Sequence, residues 1–230
     1  MNIIFKHKAT DHKRNEFETL QSISNRGFFD NDFPELATAI TSTFGKYKED
    51  YKKKRDFDFL FASDFDLTFQ KTKYKIILHA EAIGDYQLTT YSLGICKGKS
   101  CHMIRRFHFD YVHTNGGKKQ KVPVSHLQYG GKGGNGVNGN AYSTQKLANW
   151  LSEPRLYYPP INLALLLDIA FCEFHTPETK KIVEDPDWRK LIMDNEKFAL
   201  KHYYDTLSTN IGDARHKPNN LLRDIYYGTI

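Results

Sequence analysis

The chain has 230 residues, of which 40% are hydrophobic and 26% charged, as in a globular protein that can bury a sizeable core. Its formal net charge of +6 permits an anionic partner such as nucleic acid but does not require one. The longest apolar run, residues 161–174, is interrupted by polar side chains, so the composition excludes a membrane-spanning helix there and predicts no membrane partner.

Two helices are predicted within residues 1–50. In NEFETLQSISNRG the apolar residues recur at helical spacing, and Gly27 follows as a typical C-cap. After the turn FFDNDFP, a second helix is expected to begin at Pro34, because Leu36, Ile40 and Phe44 then lie on one side.

In residues 56–130 the apolar residues recur at every second position, which predicts strands. Asp and Phe alternate in DFDFLFASDFDLTFQ, and four further strand-like segments follow, divided by the turn sequences KTK, GD and KGKS. Five or six consecutive strands with short connections imply an antiparallel β-meander.

The C-terminal part, residues 141–210, returns to helical periodicity. We expect a short helix in TQKLANWLSEP, a helix in PPINLALLLDIAFCEF that is apolar nearly all round and therefore buried, a third ending near Val183, and a longer one from Pro186. The whole pattern predicts a single α+β domain over residues 1–230, with helices packed on one face of a central antiparallel meander.

The most informative stretch is the hairpin RRFHFDYVHTNGGKKQKVPVSHLQYG, whose tip NGG is a strong turn signal. Because side chains alternate along a strand, its aromatic residues share one face and its polar residues share the other. Folding the hairpin about residue 117 pairs His108 with His126, and a slip of two residues would preserve both faces. The polar face then carries Arg106, His108, Asp110, His126 and Gln128.

This patch has the composition of a site for phosphoester cleavage. We interpret His108, Asp110 and His126 as catalytic, with two imidazoles acting as general acid and base and the carboxylate fixing a tautomer. Arg106, Gln128 and Arg155 would orient a phosphate-containing substrate such as a nucleotide or nucleic acid. The same His108, Asp110 and His126 could instead hold a divalent metal.

Other interpretations stay open. Paired histidines also occur as plain polar surface, and a binding patch without catalysis is another alternative. The chain could also be a non-catalytic, protein-binding subunit of a larger cytoplasmic assembly. The glycine tract of residues 130–139 lacks the order of a P-loop and is better interpreted as a mobile cover.

Other carboxylates are weaker candidates. Asp64, Asp66 and Glu81 lie on consecutive predicted strands, and DFDLTF with LHAEAI resembles the carboxylate layout of restriction-type nucleases. Ile83 stands where that layout has a lysine, two residues after the glutamate, and simple alternation on a half-exposed strand is the other interpretation. Asp168 and Glu173 lie on the apolar helix, where a buried carboxylate needs a partner. We expect each of these two carboxylates either to reach the hairpin patch or to face solvent at the edge of the helix.

The number of cysteines helps to predict the cellular compartment of the protein. The three cysteines, an odd number in a long chain, argue against a disulfide framework. Cys96 and Cys101 could face each other across a turn, as reduced thiols or, with His102, as half of a metal site. Because the first residues, MNIIFKHKATDHKR, offer no secretory signal pattern, we predict a cytoplasmic location.

Overall fold

The computed structural model describes residues 9–83, 88–97, 102–112, 125–129 and 156–210. Within these ranges the chain forms helices and one antiparallel sheet whose strand order is the chain order, which confirms the predicted α+β meander. The helices are α1 (Ala9–Arg26), α2 (Pro34–Lys52), α3 (Leu163–Glu173), α4 (Pro177–Glu184) and α5 (Pro186–Asn210). The strands are β1 (Phe59–Phe69), β2 (Thr72–Ile83), β3 (Leu88–Lys97), β4 (His102–Val112), β5 (Ser125–Tyr129) and β6 (Leu156–Tyr157).

The N-terminal helices begin and end on the residues that favour those positions. Gly27 follows α1 with φ +62°, a left-handed conformation that glycine adopts without a Cβ clash, and its N–H donates to the Ile23 carbonyl at 3.1 Å. Pro34 opens α2, as predicted. The ring of Phe17 stacks on that of Tyr51 with centroids 4.1 Å apart, which holds the two helices together.

The sheet buries one side of each strand. In β1 the alternation predicted from Asp and Phe is observed, with Phe59, Phe61, Phe65 and Leu67 all 5% exposed or less. The turn from β1 to β2 consists of Gln70 and Lys71, with φ of 47° and 62°. The turn therefore begins one residue before the predicted KTK turn. Its two residues are not glycine, yet both adopt the left-handed backbone conformation that such a hairpin turn requires.

The C-terminal helices close the core. Trp188 at the start of α5 is fully buried and makes an edge contact with Phe29, with ring centroids 5.6 Å apart. The helix boundaries near residues 183 and 186 agree with the prediction. The predicted helix TQKLANWLSEP lies outside the described residues, and the short strand β6 was not predicted. None of the described helices is long and apolar enough to cross a membrane.

Buried side-chain amides connect the helices to each other. Asn162 is the N-cap of α3 and accepts a hydrogen bond from the Leu165 N–H at 3.1 Å. Its amide donates to Asn195 of α5 at 2.6 Å and to Asn15 of α1 at 2.9 Å. One fully buried asparagine therefore links three helices.

Candidate active site on the polar sheet face

The two faces of the sheet differ in what they contact. One face contributes its aromatic and aliphatic side chains to the same hydrophobic cluster as the helices. Because side chains alternate, the intervening residues of β2, β3 and β4 lie on the other face. We call this the polar face and define it by His79, Glu81, Thr90, Ser92, Arg106, His108 and Asp110.

The pairing of β4 with β5 corrects one prediction. His108 lies opposite Gln128, and His126 lies opposite Asp110, so the predicted His108–His126 pairing is wrong by two residues. Leu127 pairs with Phe109 instead of Phe107, and both registers match an apolar residue with an aromatic one. The assignment of faces is unchanged. The His126 side chain and all of Arg155 lie outside what the structure describes.

Two His-x-acid pairs occupy equivalent positions on strands β2 and β4. Cross-strand pairing places His79 opposite Ser92 and Ser92 opposite His108. It places Glu81 opposite Thr90 and Thr90 opposite Asp110 in the next row. Since β2 and β4 are separated by one strand, the two histidine backbones are about 10 Å apart, twice the usual strand spacing.

Within each pair, the imidazole lies close to its carboxylate. The distance from His79 Nε2 to Glu81 Oε2 is 3.7 Å, and that from His108 Nδ1 to Asp110 Oδ1 is 3.9 Å. These separations exceed a hydrogen bond but permit an ion pair when the imidazole is protonated. The four side chains are between 21% and 34% exposed, so they are partly shielded and still accessible to a ligand.

Partial burial shifts the pKa of two of these groups. Burial lowers the pKa of His79, and the positive charges of His108 and Arg106 lower it further. Burial raises the pKa of Glu81, with smaller contributions from the Asp110 and Asp58 carboxylates. His79 is therefore mainly neutral at pH 7 and can accept a proton, as a general base must.

Arg106 is the most buried cation of this face. It is 9% exposed, and burial lowers the pKa of its guanidinium while Asp110 opposes that change. It lies opposite Gly94, next to an apolar cluster of Ile77, Cys96 and Met103. Cys96 is thus packed with aliphatic side chains, while Cys101 and the side chain of His102 lie outside the described residues, so their predicted thiol or metal pairing stays a prediction.

Three of the weaker carboxylate candidates contact residues outside the polar face as defined above. Asp64 and Asp66 contact Lys75 at 3.2 and 3.0 Å. Lys75 lies six residues before Glu81 on β2, so this ion-pair group is apart from Glu81. Asp168 accepts a hydrogen bond from the Trp188 indole at 2.8 Å. Glu173, at the end of α3, is exposed.

Among the side chains that the structure describes, no group of three or more His, Cys, Asp or Glu is arranged to hold a metal ion. The His126 side chain lies outside the described residues. The predicted set of His108, Asp110 and His126 therefore stays a prediction.

Comparison with known proteins finds no matching family model, no similar curated protein and no similar solved structure. Ser92 lies between His79 and His108 in one cross-strand row, and the charges of Arg106, Glu81 and Asp110 are close by. These imidazole, carboxylate and guanidinium groups can together bind an oxyanion and transfer protons to and from it.

His79 and Ser92 were missed by sequence reasoning. The available signal was a repeat, since His79-Ala80-Glu81 has the same His-x-acid pattern as His108-Phe109-Asp110. Both pairs lie in strands of the predicted meander that are separated by one strand. Strands so related run in the same direction, which makes their equivalent alignment possible.

Proposed function

We propose that the polar face is the active site of a phosphoester hydrolase acting on a phosphate-containing substrate, with nucleotides and nucleic acid as the leading class. The observation that carries this proposal is the alignment of His79-x-Glu81 and His108-x-Asp110 on either side of β3. A phosphate placed over Ser92 would lie between two imidazoles, close to the guanidinium of Arg106.

The proposed reaction assigns one role to each imidazole. His79 accepts a proton from water as the water oxygen bonds to phosphorus. The bond from phosphorus to the leaving oxygen breaks, and His108 donates a proton to that oxygen. Arg106 balances charge on the phosphoryl oxygens, and Asp110 and Glu81 position the imidazoles. The predicted roles of His126, Gln128 and Arg155 in catalysis or substrate orientation remain part of the proposal.

The test uses the full chain with bis(4-nitrophenyl) phosphate and a fluorescein-labelled RNA oligonucleotide. We expect His79→Gln and His108→Gln each to lower kcat/KM by about 100-fold or more. His175→Gln changes an exposed histidine elsewhere and serves as the matched control. Hydrolysis that survives in the His79→Gln/His108→Gln double variant would contradict the proposal.

The pH profile and a chelator add independent readouts. Because the pKa of His79 is lowered from its ordinary value of 6.5, the acid limb of kcat/KM should lie below that pH and disappear in His79→Gln. A metal-assisted form of the reaction predicts that EDTA removes activity, Zn²⁺ or Mn²⁺ restores it, and His126→Gln prevents restoration. We also propose a cytoplasmic location, supported by the odd number of cysteines.

A further inference from the structure

We propose that a groove between α2 and β1 binds an extended, basic segment of a partner protein, which adds to the sheet as a further strand beside β1. Strand addition needs an accessible sheet edge and a groove for alternate side chains. Among the described residues, both are present on the side of β1 that faces away from β2, beyond Leu60, whose backbone N–H and C=O are hydrogen-bonded to the Tyr47 hydroxyl. This surface is separate from the proposed active site, whose His-x-acid pairs lie on β2 and β4.

The edge of the sheet at β1 is long. β1 has 11 residues and pairs only with β2 among the described strands, whereas the opposite edge strand, β6, has two residues. Tyr47 identifies which backbone groups point outward, because its phenolic oxygen accepts a hydrogen bond from the Leu60 N–H at 2.9 Å. By strand alternation, the backbone groups of Ala62, Asp66 and Thr68 also point away from β2.

A groove runs along this edge beneath α2. Its volume is about 620 Å³, and its lining includes Thr38 and Ser42 of α2 together with Ala62 and Ser63 of β1. A neighbouring cavity of about 510 Å³ shares Thr38 and Ser42. The lining is small and hydroxyl-rich, in contrast to the aromatic core, and Ser63 is only 2% exposed. A strand with small alternate side chains fits such a surface better than a helix with bulky ones.

The acidic residues that line the groove favour a basic partner segment. Glu35 and Asp64 line the first cavity and Asp30 the second, and neither lining contains Lys, Arg or His among the described residues. Asp64 and Asp66 both contact Lys75, and these three side chains together carry two negative charges and one positive charge. In a chain whose net charge is +6, a locally acidic groove favours a segment with lysine or arginine.

The same carboxylates disfavour a second copy of this chain as the occupant. Antiparallel pairing of two β1 edges about Phe65 would place Asp64 of each copy opposite Asp66 of the other. Like charges directly opposed across strands destabilise a sheet. Carboxylates on an edge also protect it from non-specific pairing, which is compatible with selective pairing by a basic strand.

The test measures binding of a fluorescein-labelled nonapeptide of alternating Lys and Thr to the full chain by fluorescence anisotropy. We expect it to bind roughly tenfold more tightly than the corresponding Glu–Thr peptide and than a Lys–Thr peptide N-methylated on alternate amides. Equal binding of the N-methylated peptide would mean charge attraction without strand pairing and would overturn the proposal. Absence of binding would overturn it as well.

Variants locate the binding surface. Glu35→Lys, an exposed substitution, and Ala62→Pro, which blocks the edge, should each weaken binding about tenfold. Glu196→Lys reverses an exposed charge on α5 and should leave binding unchanged. Circular dichroism checks the fold of each variant. Equal weakening by Glu35→Lys and Glu196→Lys, or a dimer in sedimentation that Ala62→Pro abolishes, would contradict the assigned occupant.

Discussion

Glu16 of α1 accepts a hydrogen bond from the phenol of Tyr91 in β3, with 2.5 Å between the two oxygens and both side chains buried. The same carboxyl group accepts hydrogen bonds from the Leu163 N–H, at the first turn of α3, at 3.1 and 3.2 Å. A single acid thus joins the first helix to the sheet and to a helix that lies 147 residues further along the chain.

The first prediction concerns the pH dependence of stability. Burial raises the pKa of Glu16 from 4.5 to about 7, and the hydrogen bonds from Tyr91 and Leu163 oppose that rise. Because the folded state then binds the proton more tightly than the unfolded state, Glu16 should lower the free energy of unfolding as pH rises from about 4.5 to 7. The loss is on the order of 3 kcal/mol.

Urea denaturation at pH 5 and pH 8 tests this effect. The variant Glu16→Gln keeps a side chain of the same shape without the titration, so its stability relative to the wild type should rise between these two values of pH. Exposed Glu18→Gln provides the control on the same helix. If the difference between Glu16→Gln and wild type is the same at both values of pH, the carboxyl does not titrate in this range.

The second prediction concerns the coupling of the two histidines. The positive charge of His108 contributes to the lowered pKa of His79, so His108→Gln should raise the pKa of His79. Burial is the larger cause, and part of the shift should remain. Titration of the imidazole resonances by NMR measures the change, with His175→Gln as the control. An unchanged pKa of His79 in His108→Gln would mean that the two imidazoles do not sense each other.

The third prediction concerns the turn between β1 and β2. Gln70 and Lys71 both have positive φ, which costs L-residues other than glycine roughly 1 kcal/mol each. Replacing them with Asn-Gly should stabilise the protein by about 1 kcal/mol, because this pair favours that turn. Thermal unfolding measures the gain. The Ala-Ala replacement removes the same side chains without relieving the backbone, and an equal gain from it would refute the explanation.

The fourth prediction concerns Asn162. Its replacement by alanine removes the N-cap of α3 and leaves the buried Asn195 carbonyl with one donor fewer, so we expect a loss of about 2 to 4 kcal/mol. Asn25→Ala, at an exposed position near the end of α1, should cost far less. Chemical denaturation compares the two variants. Equal losses would contradict the linking role of Asn162.

Much of the sheet could be predicted from the sequence because its pattern is local. Alternation of Asp and Phe in β1 and of His and Phe in β4 assigns each side chain to a face without knowledge of the partner strand. The register of β5 could not be predicted in this way. The connection of residues 113–124 is too long to set a register, and two alignments match Leu127 with an aromatic residue.

The start of α1 was missed for a different reason. The helix begins at Ala9, well before the predicted segment, and its first buried residues are polar: His12, Lys13 and Glu16 are at most 2% exposed. Lys13 contacts Asp56 and Asp58 at 3.3 and 3.5 Å. Periodicity methods count apolar residues, and they take buried polar side chains for solvent-facing ones.

The candidate site was predicted only in part. Arg106, His108 and Asp110 lie together on one face as expected, since they alternate along a single strand. His79 lies two strands away, and its alignment with His108 depends on the lengths of two intervening turns. The sequence shows which residues of one strand share a face. It does not show which residues of different strands lie side by side, because that depends on the register of each strand pair.

The strand order has a consequence for how the protein folds. Each strand from β1 to β4 pairs with the next one after a short connection, so every pairing closes only a small loop and sacrifices little chain entropy. The contact between Glu16 and Leu163, in contrast, closes a loop of 147 residues. We therefore expect the meander to gain protection from hydrogen exchange early during refolding, and the amide of Leu163 to gain it last.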